Sequence, residues 1–152
     1  MVKKIIKLVL VLIIMFTIFT FSGENDTKSN SRSDGIIVRT CEFVLNRKLT
    51  DKEKELYIEK YVAVVRKTAH FSLYFLLGLF YISFLKEFNL NDKKLLIYTI
   101  LFVFIYACSD EIHQLFIRGR SGEITDVLID TLGGFTSSIL YICFRVRRRL
   151  HG

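Results

Sequence analysis

The sequence predicts an all-α, polytopic membrane bundle with four transmembrane helices and a helical extracytoplasmic segment between the first two. Three observations predict it. Hydrophobic residues make up 51% of the 152-residue chain and aromatic ones 14%, with no Pro and no Trp, an odd combination for a soluble domain. The charges are segregated from the apolar residues instead of alternating with them. Four apolar blocks each approach the roughly 20 residues that a helix needs to cross a bilayer. The spans fall at about 5–22, 68–85, 95–117 and 124–144, and residues 1–152 make one domain.

The first span follows Met-Val-Lys-Lys, an opening shared with secretory signals. Phe21-Ser22-Gly23-Glu24 offers no clean small-x-small cleavage site, so the expectation is a retained helix. Its apolar segment, Ile5 to Phe21, is 17 residues, at the lower limit for a span. Residues 23–35 are polar and rich in turn formers, and are expected to form a loop. Ile36 to Leu45 suits a short amphipathic helix on the surface. Thr50-Asp51-Lys52-Glu53 has the capping-box pattern, in which a Thr hydroxyl and a Glu carboxylate each satisfy an orphan backbone N–H. A helix starting there leads directly into the second span. Residues 86–94 form a polar turn, Arg118 to Glu123 a tight Gly-containing loop, and a basic tail ends the sequence. Cys41, Cys108 and Cys143 lack metal-ligand spacing and read as free thiols.

Charge placement predicts the topology. If the N-terminus, residues 86–94 and the C-terminal tail share one side, that side carries ten basic residues against two acidic ones. The rest of the chain holds twelve basic and thirteen acidic residues. The positive-inside rule then places both termini in the cytoplasm. The multi-pass chain is thus expected in the cell membrane, with the bilayer as its first partner. The basic tail is accounted for by topology and anionic headgroups, and no nucleic-acid partner is expected.

Polar residues inside the spans carry the functional signal. Ionisable side chains at bilayer depth cost about 2.5–3.5 kcal/mol each, so they face a protein interior or a water-filled cavity. Lys67, His70 and Tyr74 share one face of the second span by their spacing; Asp110, His113 and Gln114 share a face of the third, with Glu111 turned about 100° away. Asp126 and Asp130 lie one turn apart on the fourth. At about 1.5 Å per residue these groups reach one level, in the outer third of the bilayer. Lys67 and Arg120 are natural partners for the carboxylates, and Arg120 suits a phosphate or carboxylate ligand. His70 or His113 beside Asp110 or Glu111 has the make-up of an acid–base pair, which makes these four the catalytic candidates. Charge pairs of this kind also simply hold helices together. The Phe-rich faces belong to lipid contact and packing, and Gly78 with Gly133-Gly134 to close helix approach. No HExxH or CxxC pattern occurs, so neither metal nor cofactor is expected.

Arg66-Lys67-Thr68-Ala69-His70-Phe71 with Tyr74 and Leu77, Ser109-Asp110-Glu111-Ile112-His113-Gln114, Gly119-Arg120-Ser121-Gly122, and Asp126 followed by Asp130 and Gly133 resemble the VanZ-like family of bacterial membrane proteins. The Ser-rich stretch from Ser22 to Ser33 is similar too, so the match covers nearly the whole chain. Arg118 departs from it, where a Pro before Gly-Arg is expected, as do the extra charges of residues 47–60. The resemblance implies a multi-span helical protein of the cell envelope, here as the bare membrane module. The family's namesake is associated with resistance to the glycopeptide teicoplanin; for most members no reaction is assigned. Two functions follow as expectations. One is a protein that binds or modulates an envelope lipid, a cell-wall precursor or a glycopeptide through an outward polar site. The other is a membrane enzyme using His and carboxylate chemistry on a lipid headgroup or lipid-linked phosphate.

Overall fold

The four expected spans are helices in a computed structural model that describes residues 2–24 and 26–151. Helix α1 runs Val2–Ser22, α2 Asp26–Leu45, α3 Asp51–Leu85, α4 Asp92–Gln114 and α5 Ile124–His151. Among the described residues there is no strand. Helices α1, α3, α4 and α5 are each long and apolar enough to cross a membrane.

Helix α3 begins as its sequence dictates. The Thr50 hydroxyl accepts from the Glu53 N–H at 3.4 Å, while the Thr50 N–H donates to the Glu53 carboxylate at 2.9 Å. Its 35 residues make a rod of about 52 Å, far longer than a hydrocarbon core of about 30 Å. The helix thus exceeds what a bilayer core needs, and α2 packs along it, with Ile36 and Ile37 beside Tyr61, Val64 and Val65. This corrects the loop expected over residues 23–35: α2 is helical from Asp26 (Asn25 lies outside the described residues). Ser33 and Ile37, one turn apart, are both buried and give α2 a stripe against its neighbour. Tertiary burial here outweighs the weak helix propensity of Ser, Asn and Gly. Arg32 fastens the start of α2 to the end of α1, 2.7 Å from Glu24 and over the Phe21 ring.

Two other boundaries differ from expectation. Helix α4 stops at Gln114 rather than Ile117, and one tighter turn follows, with the Ile117 N–H on the Gln114 carbonyl at 2.9 Å. The chain then reverses through Gly119 at φ 84°, a backbone region that an L side chain rarely adopts. Helix α5 continues past Phe144 through the basic tail. Arg145 and Arg149, one turn apart, both reach Asp92, at 2.7 and 3.2 Å.

Buried Val11, Ile18, Tyr74, Leu77, Val103, Ala107 and Val127 form the central core. Gly133 and Gly134 let α5 approach α3 and α4 closely. A Cβ on Gly133 would stand 2.5 Å from the Phe71 carbonyl oxygen, and one on Gly134 2.7 Å from Val103. Phe16, Leu101, Ile105, Leu128 and Leu132 are exposed, an apolar outer surface suited to lipid. The basic elements gather at one end. Lys7 pairs with Glu87 at 2.5 Å, and Lys4 lies over Phe88, so the N-terminal turns, the α3–α4 connection and the tail of α5 share a side as the charge count predicts. Cys41, Cys108 and Cys143 are free thiols.

Candidate functional site

The opposite end of the bundle holds the polar residues. Lys67, His70 and Tyr74 are spaced at i, i+3 and i+7 on α3 and turn toward α5. Lys67 lies 2.9 Å from Asp126 and 3.6 Å from Glu123. One turn deeper, His70 Nδ1 is 3.7 Å from Asp130. Tyr74 is fully buried, its hydroxyl facing Asp110 and Asp130 without a hydrogen bond to either.

From α4, Asp110, Glu111 and Gln114 are all buried. The Gln114 amide donates to Glu111 at 2.9 Å and, at the 3.5 Å limit, to Asp110. Glu111 also accepts the Glu123 N–H at 2.8 Å, which ties α4 to the start of α5. Arg120 donates to the Gln114 side-chain amide oxygen, Oε1, at 3.2 Å, so the loop arginine is drawn over the site.

Glu111, about 100° around α4 from Asp110, still enters the site as expected of a candidate, because the reversal at Gly119 brings the Glu123 N–H back over the end of α4. One expectation about faces is not met: His113 is outside the site, its ring stacked on Phe19 of α1 at 4.3 Å. Of the four catalytic candidates, the structure brings together His70, Asp110 and Glu111. Residues not singled out also contribute. Ser22, the last residue of α1, is fully buried beside Asp110. Arg66, one turn before His70, was legible as a neighbour on the same face, whereas Ser22 entered only as the first residue of a Ser-rich stretch, with no spacing to mark it for the site.

These residues enclose a cavity of about 120 Å³, lined by Arg66, Lys67, His70, Gln114, Arg120, Glu123 and Asp126. Arg66, His70 and Arg120 also border a second cleft of about 290 Å³ between α2 and α3, whose other walls include Phe21, Ile36, Val65, Ala69 and Leu73. Arg66, His70 and Arg120 thus form a wall common to a charged cavity and a largely apolar cleft, whose polar lining includes Glu24 and Arg32.

The carboxylates are unequally compensated. A hydrogen bond to a charged group contributes about 1.5–3 kcal/mol, comparable to the cost of one ionisable group at this depth. Glu111 accepts two such bonds. Asp110 has one long bond, and both oxygens of fully buried Asp130 lack any. A ring nitrogen of His70 and carboxylate oxygens of Asp110 and Asp130 lie within 4.8 Å of one another, a grouping among the described residues that could hold a metal ion.

No curated protein and no solved structure matches the sequence. The VanZ/LLP1 family matches residues 7–145, a range that contains every polar residue of the site. With four helices able to span a membrane and that match over nearly its whole length, the chain belongs to the VanZ/LLP1 family.

Proposed function

We propose that this VanZ/LLP1 protein binds an anionic envelope lipid, seating a phosphate-bearing headgroup in the charged chamber and an acyl chain in the adjoining apolar cleft. One observation carries the reading: Arg66, His70 and Arg120 border both spaces, so cationic groups stand where a polar head would meet its tail. Guanidinium groups bind phosphate oxygens bidentately, and buried sites favour them over ammonium groups. A lipid-linked wall precursor has the same combination of phosphate and long chain. The positive-inside rule places the chamber on the extracytoplasmic face of a bacterial cell membrane, with both termini inside. Tolerance of teicoplanin would then follow from capture of a lipid on which the glycopeptide's action depends.

The test is co-purification. The full chain extracted in mild detergent should carry a phosphorylated lipid by native mass spectrometry, and Arg66→Ala and Arg120→Ala should each lower its occupancy several-fold while the melting curve is kept. Expression should raise teicoplanin tolerance, and Arg120→Ala should remove the gain. An identical lipid complement in wild type and both variants would end the reading.

A second reading, acid–base chemistry on the headgroup, is favoured by His70, which lines the chamber with Asp130 3.7 Å from its Nδ1. It expects His70→Ala cells to accumulate one lipid species, which a pure binder would not cause.

A further inference from the structure

We infer that His70, Asp110 and Asp130 form a binding site for one divalent transition-metal ion of the zinc or manganese type. The ligands come one each from α3, α4 and α5, with Asp110 and Asp130 buried and His70 half-buried. Two carboxylates and a neutral imidazole supply the charge and donor types that such an ion takes, and the nitrogen ligand argues against calcium and magnesium.

An independent observation also points to a ligand. Four groups turned into this space lack hydrogen-bond partners: both Asp130 oxygens, His70 Nδ1, the Tyr74 hydroxyl and the Ser22 hydroxyl. Asp130, Tyr74 and Ser22 are fully buried, so water outside the bundle does not serve them. Buried polar groups without partners are rare in folded proteins, and a cluster of them in one place marks a missing partner. A divalent ion would satisfy the carboxylates and the imidazole together.

The geometry is close to what binding needs. Two ligands at about 2.0–2.2 Å from one ion stand at most about 4 Å apart. The present limit of 4.8 Å therefore closes with a shift of about an ångström, within reach of side-chain rotation. Three protein ligands leave a coordination position open, the arrangement of sites that accept a further oxygen ligand. The site lies about one helical turn deeper than Lys67 and Asp126, and its existence does not depend on which molecule fills the chamber above.

The experiment uses the full chain, purified in detergent with an affinity tag free of histidine, dialysed against zinc chloride and then against metal-free buffer. Metal analysis should find about one zinc per chain, with affinity falling tenfold or more in His70→Ala and Asp130→Asn. His113→Ala, whose ring stacks on Phe19 outside the cluster, should keep the ion. Wild type that retains no more zinc than His70→Ala overturns the site, as does zinc that stays in both ligand variants. Should Asp130→Asn lose its cooperative melt, cobalt substitution decides instead: His70→Ala must change the visible absorption of the bound cobalt, and an unchanged spectrum overturns the proposal.

Discussion

The Lys67 ammonium lies 2.9 Å from Asp126, bridging α3 and α5 at the mouth of the polar chamber. Both side chains remain partly exposed, at 39% and 27%, so solvent screens the pair and its contribution is modest. In a double-mutant cycle, Lys67→Ala and Asp126→Ala should show a coupling of about 0.5–1 kcal/mol, read from thermal melts in detergent. A coupling near zero would mean that the pair leaves the two helices uncoupled.

Helix approach at Gly133 is far less forgiving. Its added Cβ would meet the Phe71 carbonyl oxygen at 2.5 Å, and backbone cannot yield as a flexible side chain does. Gly133→Ala should destabilise the bundle by about 1–3 kcal/mol, the usual range for overpacking. Gly35 in α2 meets nothing within 4 Å, so Gly35→Ala should instead raise the helix's stability by up to about 1 kcal/mol. Equal effects of the two substitutions on the melting temperature would contradict the packing described.

Outside the membrane, the start of α3 should respond to acid. Hydrogen bonds from Arg47 first, then from Thr50, hold the Glu53 carboxyl down at about 2 against an ordinary 4.5. A depressed carboxylate pKa stabilises the folded form above the unfolded value, and that contribution is lost as pH falls through the folded one. Amide-exchange protection in the first turn of α3 should thus be intact above about pH 4.5 and decline toward pH 2. Glu53→Gln should flatten that dependence, and an unchanged profile in the variant would count against the capping box as its source.

Topology has a direct check. Ser121 is exposed in the loop before α5, at the end of the bundle opposite the basic cluster. In a Cys41→Ser background, Ser121→Cys should react with an impermeant thiol reagent added to intact cells. Labelling that appears only after lysis would invert the orientation.

Much of the fold was legible because hydrocarbon imposes simple demands. The four long apolar helices, the capping box at Thr50 and the grouping of basic segments at one end each depend on local composition or spacing, and each is found. Helix α2 was hidden because Ser33 and Ile37 become a buried stripe only once α3 lies beside them. In the site, spacing placed Lys67, His70 and Tyr74 on one face. It misplaced His113, because facing is set by where neighbouring chain lies: α1 brings Phe19 to His113, while the Gly119 turn brings the Glu123 N–H to Glu111.

By itself the sequence determined that this chain is a helical protein with four helices long and apolar enough to cross a membrane, since length, hydropathy and charge bias are sums over neighbouring residues. Only the tertiary structure decided which of its acids and bases meet. His70, Asp110 and Asp130 stand on three successive helices, 40 and 20 residues apart in the chain, and only the rotation and packing of α3, α4 and α5 about their glycine contacts bring them within 4.8 Å.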